Sequence, residues 1–300
     1  MNRSRNGSKK TPKRLLFIDI FAGCGGLSLG LLDAGWTGQF AIEKNRDAFN
    51  TLAKNLIGGK RHSFHWPEWL PKKACTSARL LANYDDQLRR LHGKIGLLAG
   101  APPCQGFSLA GRRLHSDPRN LLFRQYLAVV KRIKPRLLLV ENVQGFTFPF
   151  KSKGKKRCKH IAYSDVLLEK LKNLGYTVFS ELVNFSEFGV PQNRNRFILI
   201  AIINGDSALD RLKGMTPFDL LQTARKSFLK SKQLGVTSPI SAKQAISDLE
   251  VKGKKLLFAT RRSRKGFKQI KYIRPDYRSR FIKLMRRTTD AAPTTAALER

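Results

Sequence analysis

Pro102-Pro103-Cys104-Gln105 follows the apolar run Lys94–Gly100 and puts a thiol on a stiff turn. Proline fixes φ and removes a backbone donor, so the pair presents Cys104 at the end of that run. A thiol attacks carbon as thiolate, and nearby cations such as Arg112 and Arg113 favour that form. Glu141, in Val140-Glu141-Asn142-Val143, closes a second apolar run. A carboxyl half-buried there is expected to have a raised pKa and to hold or donate a proton near neutrality. Arg194 and Arg196 stand two apart where a third apolar run begins. On a strand they would share one face and suit a phosphate or a base oxygen. Each feature has a plainer reading: an inert buried thiol, a capping carboxylate, a surface arginine pair. The Pro-Pro-Cys-Gln context favours the nucleophile.

A glycine cluster makes a fourth group. Gly23, Cys24, Gly25 and Gly26 follow the apolar run Arg14–Gly23 and open a segment of helical spacing. Glycine there lets backbone approach a ligand closely. The cluster is tighter than the G-x-G-x-x-G of dinucleotide sites, and the acid about 20 residues on is Glu43. Glu43 ends the next apolar run, where a ribose would present its hydroxyls. No lysine follows the glycines as in a P-loop, so a nucleoside cofactor is favoured over a nucleoside triphosphate. A tight strand–helix turn without a ligand is the alternative.

These groups need elements to carry them. Strands are expected at Arg14–Gly23, Gln39–Glu43, Lys94–Gly100, Arg136–Asn142 and Arg196–Ile202. Helical spacing lies between them, with Asn45 as an N-cap and Gly175 as a helix stop. Alternating strands and helices predict an α/β fold, Rossmann-like, with a mostly parallel sheet and helices on both faces. Residues 1–13 read as a basic arm and Lys151–Lys159 as a basic loop. From about Asn204 the periodicity weakens. Thr260–Arg287 holds twelve basic residues and one acid, Asp276, and cannot form a packed core alone.

The composition bounds the partners. Of 300 residues, 58 are Lys or Arg and 21 are Asp or Glu, a formal charge of +37. Self-repulsion at that charge opposes compaction, and a polyanion, usually nucleic acid, relieves it. No apolar run reaches the roughly 18 residues of a membrane span. The polar, basic N-terminus does not read as a secretory signal. A soluble, cytoplasmic protein is therefore expected. The four cysteines form no CxxC and the five histidines stand apart from them, which argues against a zinc site and against a disulfide framework.

Four ordered motifs, DIFAGCGG (Asp19–Gly26), PPCQGFS (Pro102–Ser108), ENV (Glu141–Val143) and QNRNR (Gln192–Arg196), resemble the cytosine-5 DNA methyltransferases. The resemblance spans about Phe17–Ile202, and SPISAKQAISDL (Ser238–Leu249) resembles the segment that follows in that family. It implies S-adenosylmethionine as cofactor. Phe21, Ala22, Gly23, Cys24, Gly25 and Gly26 would form the turn on its methionine side. Glu43 would bond the ribose, Lys44 would lie by the adenine, and Pro103 would approach the cofactor beside the nucleophile. It implies that Cys104 adds to C6 of a cytosine flipped from double-stranded DNA, with Gln105–Arg113 closing over it. Glu141 would hold a proton at N3, and Arg194 and Arg196 would steady the O2 edge and the flanking phosphate. Restriction–modification is the common setting, with association with the nucleoid. Residues 14–203 would be the catalytic, cofactor-binding domain, and 204–300 a basic connection and the start of a target-recognition region. The family's acid near the adenine amine has no counterpart in PKKACTSARLL, and its two closing motifs are not found. A truncated chain or a complementing subunit with the recognition region and closing motifs is the expectation. Methylation of tRNA cytosine and a non-catalytic DNA-binding fragment stay as alternatives.

Overall fold

The computed structural model describes residues 15–59, 64–103, 121–149, 162–249, 257–258, 268–269 and 279–287. Cys104, the loop Gln105–Arg113, the arm 1–13 and the basic loop Lys151–Lys159 lie outside them. The chain forms two compact units. The first takes Met1–Leu182 with Arg196–Pro217; the second takes Val183–Asn195 with Phe218–Arg300.

The sheet contains β1 (Leu16–Ile20), β2 (Thr37–Ile42), β3 (Leu97–Gly100), β4 (Leu137–Val143), β5 (Tyr176–Asn184) and β6 (Asn195–Ile203). Its order is β2-β1-β3-β4-β6-β5. β1 pairs in parallel with β2 and β3, and β3 with β4. β6 runs antiparallel to β4. The expected mostly parallel sheet is thus present, with its reversed strand at the β4–β6 pair.

Helices cover both faces because strand side chains alternate. Ile18, Ile20, Phe40, Ile42, Leu98 and Val140 join one buried cluster. That cluster is closed by α3 (Ser77–Asn83), α4 (Asp85–Arg90) and the 13-residue α5 (Leu121–Ile133). Phe17, Ala41, Leu97 and Ala99 point the other way. There they meet α1 (Gly26–Asp33) and α2 (Arg46–Leu52), which continues as a π-helical turn through Ile57. Asn45 caps α2 as expected, accepting from Ala48 N at 2.9 Å. α6 (Tyr163–Asn173) stops before Gly175, whose φ is 85°.

Several elements are not predicted by the periodicity. β5 follows Gly175 with Tyr, Thr, Val and Phe in succession, but half-buried and exposed residues run through its middle without alternating. After α7 (Ser207–Arg211), α8 (Pro217–Ser231) buries Phe218 and Leu229 and leaves Leu220, Leu221 and Phe228 exposed. Apolar residues on two faces of one helix blur the 3.6-residue signal. The second unit also contains α9 (Ala242–Ile246), the two-residue strands β7 (Leu257–Phe258) and β8 (Lys268–Gln269), and α10 (Arg280–Arg287).

Candidate functional site

Register aligns the site. Ile20 of β1 pairs with Ile42 of β2 and Gly100 of β3, and Gly100 pairs with Val140 of β4. Three parallel strands, β1, β2 and β3, therefore finish on one line, and β4 crosses that line at Val140. The residues that follow, Phe21, Glu43, Ala101 and Glu141, begin a row along the carboxyl edge of the sheet. That edge is where open α/β sheets bind ligands.

The glycine turn is fixed by backbone geometry. Ala22 N donates to Ile42 O at 3.0 Å and Gly25 N to Ala22 O at 2.9 Å. Phe21 takes φ 67°, left-handed without being glycine, which marks a strained position. The glycines divide their work. Gly25 takes φ 91°, which L side chains rarely adopt, and a Cβ there would also lie 2.8 Å from Cδ1 of Leu56, so the backbone favours glycine. A Cβ on Gly23 or Gly26 would meet nothing within 4 Å, so open space lies beside the turn at both. Cys24 is exposed in the same turn.

Glu43 faces that turn. Its Oε2 accepts from Gly23 N at 2.9 Å and its Oε1 from Asn45 N at 2.7 Å. Each oxygen keeps acceptor capacity, so the carboxylate can take two vicinal hydroxyls. A held carboxylate beside two open glycines fits the ribose end of a nucleoside. Lys44 follows, exposed.

Two neighbours were not legible in advance. Asp19 is fully buried beneath the turn; its Oδ2 accepts from Ser28 Oγ at 2.6 Å, while Oδ1 has no hydrogen-bond partner among the described residues. Burial pushes its pKa up to about 6, opposed by the Ser28 bond and helped by the charge of Glu43. A carboxylate inside an otherwise apolar strand was the available signal. Beside Glu43, Cys75 N donates to the Glu43 carbonyl at 2.8 Å, docking Ala74–Thr76 on the end of β2. Burial raises the Cys75 thiol pKa, against the pull of Arg79 and Lys73. This segment stands where an acid is missing from PKKACTSARLL.

At the other end of the row Glu141 forms an ion pair with Arg196, 2.8 Å from Oε1 to Nε. The Arg196 side chain is 11% exposed and the carboxylate 30%. Val143 pairs with Arg196 across the β4–β6 ladder, which makes Glu141 its diagonal neighbour on one face. Arg194 precedes β6, is exposed, and belongs to the second unit, where its carbonyl accepts from Phe185 N at 3.0 Å. Pro102 is buried and Pro103 half-buried at the end of β3. Within the first unit, the fold brings the glycine turn, Glu43, Pro103, Glu141 and Arg196 to one sheet edge.

The chain resembles known proteins over this region. It is 35% identical over 198 residues to the type II methyltransferase M.XorII of Xanthomonas oryzae, covering 64% of this chain and 41% of that protein. It is 32% identical over 189 residues to the type II methyltransferase M.AquIA of Picosynechococcus, covering 61% of this chain and 70% of that one. The chain spans less than half the length of the first curated relatives it matches. In fold it resembles the structure of a proposed DNA modification methyltransferase encoded within a prophage, from E. coli. The TM-score is 0.54 at 22% identity, over 87% of this chain and 61% of that one. The model of the C-5 cytosine-specific DNA methylases matches residues 15–296, and the chain belongs to that family.

Proposed function

We propose that this chain is the catalytic portion of a DNA (cytosine-5) methyltransferase of the type II restriction–modification class, using S-adenosylmethionine. The observation that carries the reading is the row of strand ends. It sets the Glu43 carboxylate, held by Gly23 N and Asn45 N beside the glycine turn, and a guanidinium-paired carboxylate, Glu141, on the edge that also bears Pro103. The glycine turn Phe21–Gly26 and Glu43 would hold the cofactor's methionine and ribose ends, and Lys44 with the Ala74–Thr76 segment its base.

Cytosine C5 is a weak nucleophile until C6 is attacked. Cys104, as thiolate, would add to C6 of a base flipped out of double-stranded DNA. Glu141 would hold a proton at N3, drawing electron density from the ring as the sulfur adds. Arg196 would keep that carboxylate oriented and bond the O2 edge, with Arg194 at the flanking phosphate. S-Adenosylmethionine, when bound, supplies an electrophilic methyl group to C5. Loss of the C5 proton to solvent and cleavage of the Sγ–C6 bond would then return Cys104 and release 5-methylcytosine.

Residues 14–203 would be the catalytic domain and 204–300 the start of the recognition region. A complementing subunit with the recognition region and closing motifs is part of the reading. Its support is that the match takes in 70% of M.AquIA but 41% of M.XorII, so chains named as type II methyltransferases include a short form. No helix among the described residues is long and apolar enough to cross a membrane, in keeping with an enzyme that meets DNA in the cytoplasm.

Methyl transfer from labelled cofactor to DNA and to tRNA, with the recognition segment supplied, tests the reading. Cys104→Ala is expected to abolish transfer and to leave cofactor binding in place. Full turnover by that variant, or transfer to tRNA alone, would overturn it.

A further inference from the structure

β3 stops pairing at Gly100, opposite Val140. β4 continues for three residues, Glu141–Val143, paired only with β6. The chain leaving β3 reads Ala101-Pro102-Pro103, and neither proline has an N–H to extend the ladder. A side chain bridges the gap instead. Asn142, 2% exposed, donates from Nδ2 to the carbonyl of Pro102 at 3.1 Å. Its Oδ1 accepts from Val143 N at 2.9 Å. A carbonyl can only accept and a peptide N–H can only donate, so the two partners fix which way the amide faces.

We infer that Asn142 is a positioning residue: it holds the Pro102–Pro103 turn, the segment that leads in sequence into Cys104, against the Glu141 strand end. The inference rests on the reading of Cys104 as nucleophile. One side of the amide is anchored to the backbone next to Glu141. The other holds the carbonyl two residues before Cys104. Misplacement by about an ångström of two groups that must act on one ring costs on the order of a hundredfold in rate.

Asn142→Asp is the sharpest variant. It keeps the acceptor for Val143 N and sets a carboxylate oxygen against the Pro102 carbonyl oxygen. Asn142→Ala removes both bonds, and carries the comparison if the first variant does not fold. Two readouts are taken on the full chain with recognition segment and cofactor. One is hydrogen exchange of the peptide 101–105. The other is the rate of covalent adduct formation on a duplex bearing 5-fluorocytosine. Exchange is expected to rise in that peptide and not in α6. Adduct formation is expected to slow about a hundredfold with cofactor affinity held within about threefold. With Asn142→Asp, the ratio to wild type should recover as pH falls and the introduced carboxyl regains a proton to donate. Unchanged exchange in both variants overturns the inference, as does raised exchange with an unaltered adduct rate. Absence of any adduct in the wild-type protein overturns the Cys104 reading instead, while exchange still decides whether Asn142 holds the turn.

Discussion

Asp19 is the residue whose chemistry is most at odds with its surroundings. It sits on β1 on the same face as Phe17, fully buried, with one oxygen held by Ser28. Its pKa rises from 3.8 to about 6, chiefly through burial. Between those values the folded chain binds more protons at this site than the unfolded chain, so stability falls as pH rises through the window. Above pH 6 the folded state carries the whole cost of a buried charge, on the order of 3 kcal/mol. Asp19→Asn removes that pH-dependent cost and leaves an amide nitrogen without an acceptor, a cost independent of pH. Relative to the variant, the wild type is expected to gain stability as pH is lowered from 7 to 4.5. Melting temperatures across that range check it; a constant difference between the two proteins would refute the burial argument.

Elements place the site by bringing the ends of β1, β2 and β3 level with Val140 of β4, and glycines at this edge test the arrangement. A Cβ on Gly100, at the end of β3, would lie 2.7 Å from the Tyr126 ring and 3.3 Å from Ile20 O. Tyr126 cannot yield easily: it is fully buried and its hydroxyl donates to Leu98 O at 3.2 Å. Gly100→Ala should cost about 1–3 kcal/mol, a fall of several degrees in melting temperature for a domain of this size. Gly26, the first residue of α1, has open space where a Cβ would go. Gly26→Ala is expected to leave the melting temperature unchanged and to weaken cofactor binding, read by calorimetry. Equal thermal effects of the two substitutions would contradict the division between packing glycines and ligand-side glycines.

At the scale of the whole molecule the charge of +37 decides behaviour that no single site explains. Binding to DNA of any sequence should rest on counterion release. Affinity is then expected to fall by roughly a thousandfold or more between 50 and 200 mM salt. Fluorescence anisotropy with a random duplex measures it, and a flat salt dependence would remove the electrostatic account of the composition. The match of the family model to 15–296 runs through this basic region as well as the sheet.

Motif order, the five core strands, the cap at Asn45 and the stop at Gly175 were legible in the sequence because each depends on neighbours a few residues away. β5 was not, since it never alternates, nor was α8, whose apolar residues occupy two faces. The partners in the site were beyond sequence reasoning for a different reason. That Arg196 pairs with Glu141, that Glu43 receives Gly23 N, and that Asn142 reaches Pro102 all follow from register between distant strands. Register is set by how whole faces pack. A shift of one residue would turn each of these side chains to the opposite side of the sheet.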